Sequence, residues 1–456
     1  MSLDAWSDAA SIAASVQSGA TTAQEVIGRT LATIAARNPG LGAFTDVVAE
    51  RALRRAALLD ASDIKGPLAG VPFAVKNLFD IAGLPTRAGS KINRSHPPAE
   101  ADATLITRLE AQGAILVGAL NMGEYAYDFT GENCHDGPSR NPHDLGRMAG
   151  GSSGGSGSAV AGGLVPLALG SDTNGSIRVP ASFCGICGLK PTSGRLSRAR
   201  SFPFVASFDH LGPFARSVAD LALAYDAMQG ADPLDPACTE RAAEPVSPGL
   251  NQGIAGLRIA RAGGYFRQNL MPEAEAATTA IADALGVTAE IEIPEAARAR
   301  AAAYLITTAE GGTLHLDRLR RQAGDFDPDT RDRLIAGAMT PAAMVLKAQK
   351  FRRWYRTQVL RLFADVDVII APATPCTAPA LGQKTFVLGG TELPVRANIG
   401  IFTQPISFIG LPVAAVPVPG PMPIGVQIIA APWREDLCLR VARHLEATGI
   451  AQAQRP

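Results

Sequence analysis

Short apolar runs alternate with amphipathic stretches along the chain. Thr22-Ala23-Gln24-Glu25 has the form of a capping box, and Ile27, Leu31 and Ile34 follow on one helical face. Asn38-Pro39-Gly40 reads as the stop for that helix. Pro72 to Val75 is a continuous apolar run, which predicts a buried strand delivering Lys76 at its end. Asp102 is placed to cap a helix through Leu109 that Gly113 ends, and Ala114 to Val117 then reads as a strand. Ser217-Val218-Ala219-Asp220 opens another helix. Residues 231–256, rich in Pro, Asp and Gly, predict a surface loop, while Leu257 to Ala260 and Val366 to Ala371 predict strands. Strands alternating with helices predict an α/β fold with helices on both faces of a sheet. No repeat and no clean linker is visible. Residues 1–456 are therefore expected to form one domain, with N-terminal helices in about residues 1–65 packing on its core.

Composition narrows the function classes. The 456 residues are 47% hydrophobic and 18% charged, enough for a sizeable core. Lys plus Arg equals Asp plus Glu, 42 each, so no net field favours nucleic acid or an anionic membrane. The local pair Arg352-Arg353 reads as the solvated face of a helix. No uncharged apolar run reaches the ~18 residues of a membrane span, and the start, MSLDAWSDAASIAASV, lacks a basic segment before a long apolar core. Six cysteines at irregular spacings make no disulfide framework. Cys184-Gly185-Ile186-Cys187, a single C-x-x-C, is weak as a zinc site and reads as packing. A cytoplasmic protein is expected.

Two glycine- and serine-rich segments carry the chemistry. Gly150 to Ser158 reads GGSSGGSGS, and Gly170 to Ser182 reads GSDTNGSIRVPAS. Glycine lets backbone approach a reacting carbonyl closely, and serine supplies a hydroxyl for attack or proton relay. Such segments suit the floor of an acyl-transfer site, where backbone N–H groups hold an oxyanion. A phosphate cradle is the rival, but no lysine follows these glycines as a P-loop needs, and the frame of GGSSGG is wrong for a dinucleotide turn. A flexible linker is disfavoured because Ala159 to Gly170, AVAGGLVPLALG, is apolar.

With Pro72-Phe73-Ala74-Val75-Lys76-Asn77 added, the chain resembles the amidase signature family. Lys76, Ser152 and Ser176 match that family's Ser-cisSer-Lys triad. AGSK (Ala88 to Lys91), NMGEYAY (Asn121 to Tyr127), SRNPHD (Ser139 to Asp144), FCGICGLKPTSG (Phe183 to Gly194), APATP (Ala371 to Pro375) and PIGVQIIA (Pro423 to Ala430) extend the likeness over nearly the whole chain. The resemblance implies one domain with a large twisted mixed β-sheet. It also implies Ser176 as nucleophile, Ser152 as proton relay after a cis peptide eased by Gly151, and Lys76 as base. Lysine accepts a proton only when neutral, so burial must bring its pKa down from about 10.4. His135, His143 and His210 read as loop histidines without a claim to the base role.

The backbone N–H groups of Thr173, Asn174, Gly175 and Ser176 are implied as the oxyanion hole. Asn174 stands where glycine is usual, and asparagine tolerates left-handed φ. Asp172 and Arg178 are expected to brace the loop as an ion pair, with Ser153 as a hydrogen-bonding support. Tyr127, Asp128 and Thr130 are expected to line the pocket. Arg94 is the first candidate for binding a substrate carboxylate, with Arg87, Arg140 and Arg147 beside it. No metal or organic cofactor is required. The likeness implies hydrolysis of a small carboxylated ureide such as 1-carboxybiuret, with oxalurate or another small amide as alternative. A glutaminase subunit of a tRNA-dependent amidotransferase is a second enzyme reading. A small helical companion protein is implied, against a plain homodimer; the amphipathic start (Trp6, Ile12, Val16) suits either a partner or the chain's own core.

Overall fold

A computed structural model describes residues 3–62 and 66–456; residues 1, 2 and 63–65 of the expected domain lie outside the described residues. Eleven strands form one mixed sheet. Its order runs Phe44–Val47, Ile115–Leu120, Pro72–Lys76, Leu167–Asp172, His210–Ala215, Cys187–Lys190, Val413–Val418, Ile424–Ala430, Val368–Pro372, Ile259–Ala262 and Glu290–Ile291. The middle of the sheet carries the chemistry. Pro72–Lys76 lies parallel to Leu167–Asp172, with Val75 opposite Leu169, and both strands are buried throughout. Continuous apolar runs suit strands covered on both faces.

Helix Gly154–Ala161 packs over this region with every residue buried. It is the second half of the glycine- and serine-rich segment, folded as a helix. A Cβ at Gly155 would sit 2.5 Å from the backbone N of Asn121, so only glycine permits this approach. Ser156 and Ser158 turn their hydroxyls to the carbonyls of Leu169 and Arg140, which satisfies both in the core.

Several boundaries differ from the sequence reading. The capping box of Thr22 and Glu25 forms, but helix Ala23–Leu41 runs through Pro39 and ends at Gly42, φ 61°. Proline in a last turn removes only one bond, and the left-handed glycine makes the stop. Asp102 is no cap: its carboxylate takes both guanidinium N–H groups of Arg51 at 2.7 Å, and helix Thr104–Ala111 starts after Ala103. Leu257 and Val366 lie just before their strands, which begin at Ile259 and Val368. Of the arginine pair, Arg353 is exposed, whereas Arg352 is half-buried: its guanidinium donates to the carbonyls of Phe408 and Ser207 and lies over the Phe208 ring. Cys184 and Cys187 are free, buried thiols within the packing.

The amphipathic start packs on the chain's own core. Helix Ala9–Gln17 buries Ile12 and Val16, and Asp220 accepts the N–H groups of Ala9 and Ala10. Trp6 sits under the guanidinium groups of Arg37, Arg216 and Arg455. Helices Ala296–Gln322, Pro328–Ala338 and Ala342–Leu362 pack on one another as a helical layer. Ala299, Ala303, Thr307 and Gly311 make a small-residue face on the first of them. A Cβ at Gly337 would meet the carbonyl of Thr308 at 1.8 Å, so the first two helices cross at backbone contact. Among the described residues no helix is long and apolar enough to cross a membrane.

Candidate active site

Lys76 ends its strand fully buried. Its Nζ donates to Ser152 Oγ at 2.7 Å and to Ser171 Oγ at 2.8 Å. Burial brings its pKa down to about 7, against the weaker pull of Asp209, Asp172 and Asp128. Both acceptors are hydroxyls, which can take a proton on one side and release one on the other. Ser171 is a site residue that the sequence reading missed. It lies just before Asp172 on strand Leu167–Asp172, and only the pairing with Pro72–Lys76 shows that it reaches the lysine.

Ser152 precedes helix Gly154–Ala161, and the Gly151–Ser152 peptide is cis. A Cβ at Gly151 would meet the Asp128 carboxylate at 2.5 Å, so glycine is needed there for room. Ser153 Oγ bonds both the carbonyl and the N–H of Ser171, tying the two serine segments together.

Ser176 is buried just ahead of helix Arg178–Cys184. The loop takes its positive φ at Gly175, 141°, and not at Asn174. A Cβ at Gly175 would lie 2.2 Å from Thr403 Oγ1. Thr403 Oγ1 donates to the carbonyl of Asn174 at 2.7 Å, and Thr173 Oγ1 donates to Asp209 at 2.6 Å. The N–H groups of residues 173–176 donate to no acceptor among the described residues. They are free for a ligand oxygen.

Beneath the loop, Asp172 and Arg178 form a fully buried pair at 2.9 Å. Burial alone would raise the Asp172 carboxyl; the Arg178 guanidinium overrides this and holds it well below the usual range. Arg178 spends its five N–H donors on Asp172, Gln427, Ser407 and the carbonyl of Thr403. A buried charge this completely matched rigidifies what it holds.

Ser176 opens onto a cavity of about 130 Å³ that Thr173, Asn174, Tyr127 and Asp128 also line. A second cavity, of about 250 Å³, is lined by Ser171 and Thr173. Thr130 is not a lining residue: its hydroxyl and N–H turn to the Asp128 carboxylate, closing a local turn. Nor do the expected arginines reach the cavity. Arg94 pairs with Asp136, Arg87 with Asp46 and Asp136, and Arg147 with Asp144, while Arg140 donates to the carbonyl of Leu145. All four stand close to the motif segments in sequence, which does not fix closeness in space.

Two other arginines line the cavity, Arg333 and Arg396. Arg396 is neutralised by Asp128 at 2.5 Å and Asp329 at 3.2 Å. Arg333 has no carboxylate partner among the described residues. It donates to the carbonyls of Asp329 and Tyr127 and lies 3.9 Å over the Tyr127 ring. No histidine lines this cavity. His210 is no loop residue; it opens strand His210–Ala215, buried against the carbonyls of Asp172 and Phe208. Among the described residues, no group of three His, Cys, Asp or Glu is arranged to hold a metal.

The comparisons agree with this geometry. The chain is 57% identical over 445 residues to the 1-carboxybiuret hydrolase subunit AtzE of Pseudomonas sp. (strain ADP), covering 96% of this chain and 97% of that one. It is 36% identical to a glutamyl-tRNA(Gln) amidotransferase subunit from Koribacter versatilis (strain Ellin345), covering 91% and 92%. A solved structure described as a vestigial protein complex, bearing on the origins of an s-triazine catabolic enzyme, superposes with a TM-score of 0.97 at 56% identity, covering 98% of this chain and 100% of that one. The family model for Amidase matches residues 25–439. With a lysine and serines gathered below a loop of free N–H groups, and a family match over most of its length, the chain belongs to the Amidase family.

Proposed function

We propose that the chain cleaves the amide C–N bond of a small carboxylated ureide, with 1-carboxybiuret as first choice, and releases ammonia. The buried contact of Lys76 Nζ with Ser152 Oγ at 2.7 Å carries the reading, because it joins a lysine of depressed pKa to a hydroxyl relay. Ser176 Oγ attacks the carbonyl carbon while its proton passes through Ser152 to neutral Lys76. The N–H groups of Thr173 to Ser176 take the oxyanion. The same proton returns through Ser152 to the leaving nitrogen, the C–N bond breaks, and water hydrolyses the acyl-enzyme. This route draws on no metal or organic cofactor. Asp172, Arg178, Gly151 and Ser153 hold the geometry.

The unpaired guanidinium of Arg333 supports an anionic substrate: it is the cation of the cavity left to meet a carboxylate. Identity of 57% to a 1-carboxybiuret hydrolase subunit supports the ureide, against 36% to an amidotransferase subunit. Ammonia release across a panel of 1-carboxybiuret, oxalurate and glutamine tests it. The carboxylated ureide is expected to have the highest kcat/KM. Glutamine as best substrate, and only in the presence of partner proteins, overturns the reading in favour of the amidotransferase.

A small helical companion and a cytoplasmic location belong to the same reading. Helices Ala296–Gln322, Pro328–Ala338 and Ala342–Leu362 frame an apolar groove of about 610 Å³, with Leu346 69% and Leu314 41% exposed. The vestigial complex of the similar structure points the same way. Light scattering on the chain alone is expected to find oligomers or aggregates, and co-expression with a small neighbouring reading frame a defined complex. A fully active monomer overturns the companion.

A further inference from the structure

Asn174 carries an inference about specificity that rests on the ureide reading above. The residue is 7% exposed and lines the cavity together with Ser176. Nδ2 donates to Thr307 Oγ1 at 2.9 Å, which fixes the amide plane from helix Ala296–Gln322. The backbone carbonyl of the same residue is held by Thr403. Oδ1 is thereby left as a buried acceptor with no partner among the described residues. Buried polar atoms are paired as a rule, and an exception on a residue that lines a cavity points to the ligand.

The surroundings define what that ligand brings. The loop's N–H groups are donors for a carbonyl oxygen. Oδ1, on the same loop, is an acceptor and needs an N–H close to that carbonyl. A ureide carbonyl has nitrogen on both sides: one leaves, and the other stays with the acyl group carrying its hydrogen. A carbon-chain amide of the same shape offers CH₂ there. We infer that Asn174 Oδ1 accepts a hydrogen bond from the N–H on the acyl side of the scissile carbonyl, so that the site selects ureides over isosteric carbon-chain amides. A site built to pair a donor rejects the analogue that lacks it, since its own polar atom is then stranded.

Allophanate and malonamate differ at this position by NH against CH₂ and are otherwise matched in charge and length. The experiment measures kcat/KM for ammonia release from both with wild type, Asn174→Ala and Thr307→Val. Asn174 has no positive φ, so alanine keeps the loop N–H groups in place. Asn174→Ala is expected to lower the allophanate-to-malonamate ratio by about tenfold or more. Thr307→Val, which removes only the hydroxyl that aims the amide, is expected to lower it less, and it serves alone if Asn174→Ala does not fold. A ratio unchanged within about twofold, or an equal fall for both substrates, overturns the inference and leaves Asn174 as loop structure. Wild type that hydrolyses malonamate but no carboxylated ureide overturns the ureide reading itself. If neither turns over, calorimetry with the same two probes on Ser176→Ala decides: equal affinity overturns the inference, and tighter allophanate binding lost on adding Asn174→Ala supports it.

Discussion

Lys76 and Lys190 each end a buried strand, Pro72–Lys76 and Cys187–Lys190, and each is fully buried. Burial brings both pKa values down to about 7. By proton affinity alone the two are indistinguishable. Their partners separate them. Lys76 Nζ meets two hydroxyls, Ser152 and Ser171, whereas Lys190 Nζ donates to the backbone carbonyls of Pro191 and Leu411. A carbonyl accepts a hydrogen bond but has no proton to hand on, so Lys190 is a clamp between segments. A perturbed pKa marks a place to look; the chemistry of the neighbours says whether a proton can travel.

The sharpest way to break this contrast is substitution at the proposed reacting groups. Ser176→Ala and Lys76→Met are each expected to lower ammonia release by about 10⁴-fold or more with circular dichroism unchanged. Lys76→Arg fails as well, because a guanidinium stays charged. Normal turnover by Lys76→Arg, or near-wild-type activity in Ser176→Ala, ends the assignment. Lys190→Met is expected to keep kcat within about threefold, since no substrate proton passes through it.

A second test reads the pH profile. Lys76 works as a base only when neutral, so kcat/KM is expected to rise with pH through about 7 and then level. A profile flat from pH 6 to 9 removes Lys76 from the base role. Ser171→Ala follows in size: losing one of the two hydroxyls on Nζ is expected to cost about tenfold in kcat, the worth of one hydrogen bond. An unchanged rate makes Ser171 a bystander.

The last effect is on stability, at Lys190, and not on turnover. Its folded pKa, about 7, lies below its ordinary 10.5, so between these values the unfolded chain binds more protons. Stability of wild type relative to Lys190→Met therefore rises with pH across that window, by about 1 kcal/mol per pH unit. It falls back as pH drops toward 7. Denaturant melts of both proteins at pH 7 and 9 check this; a constant gap means that Lys190 stays protonated throughout.

The part of this site that was legible in the sequence is the part whose residue types are unusual. Glycines with no room for a Cβ, Gly151 against the Asp128 carboxylate and Gly155 against backbone, each at 2.5 Å, cannot be replaced, and they flag Ser152 in plain text. A lysine closing an apolar run flags itself in the same way. Ser171 and Arg333 were not legible. Ser171 matters through strand register, and Arg333 through a helix crossing at Gly337; neither leaves a local mark. The small-residue face of helix Ala296–Gln322 also has too little polar contrast for its period to stand out. On the sheet, the parallel strands announced themselves by continuous apolar runs. Helix ends followed side-chain bonds formed across the fold, as when Arg51 drew Asp102 away from a capping role.

Arg178 has a consequence for how this protein comes to exist. A ribosome delivers Lys76, Ser152 and Ser176 early, but the groups that fix Arg178 come late: Thr403, Ser407 and Gln427, the last 249 residues further on. At ordinary translation speeds that gap is on the order of tens of seconds. Throughout it the nascent chain carries Lys76, Ser152 and Ser176, yet of the partners of Arg178 only Asp172 has been made. Activity is therefore expected only with the end of synthesis, and a message cut short before Gln427 is expected to yield an inert chain.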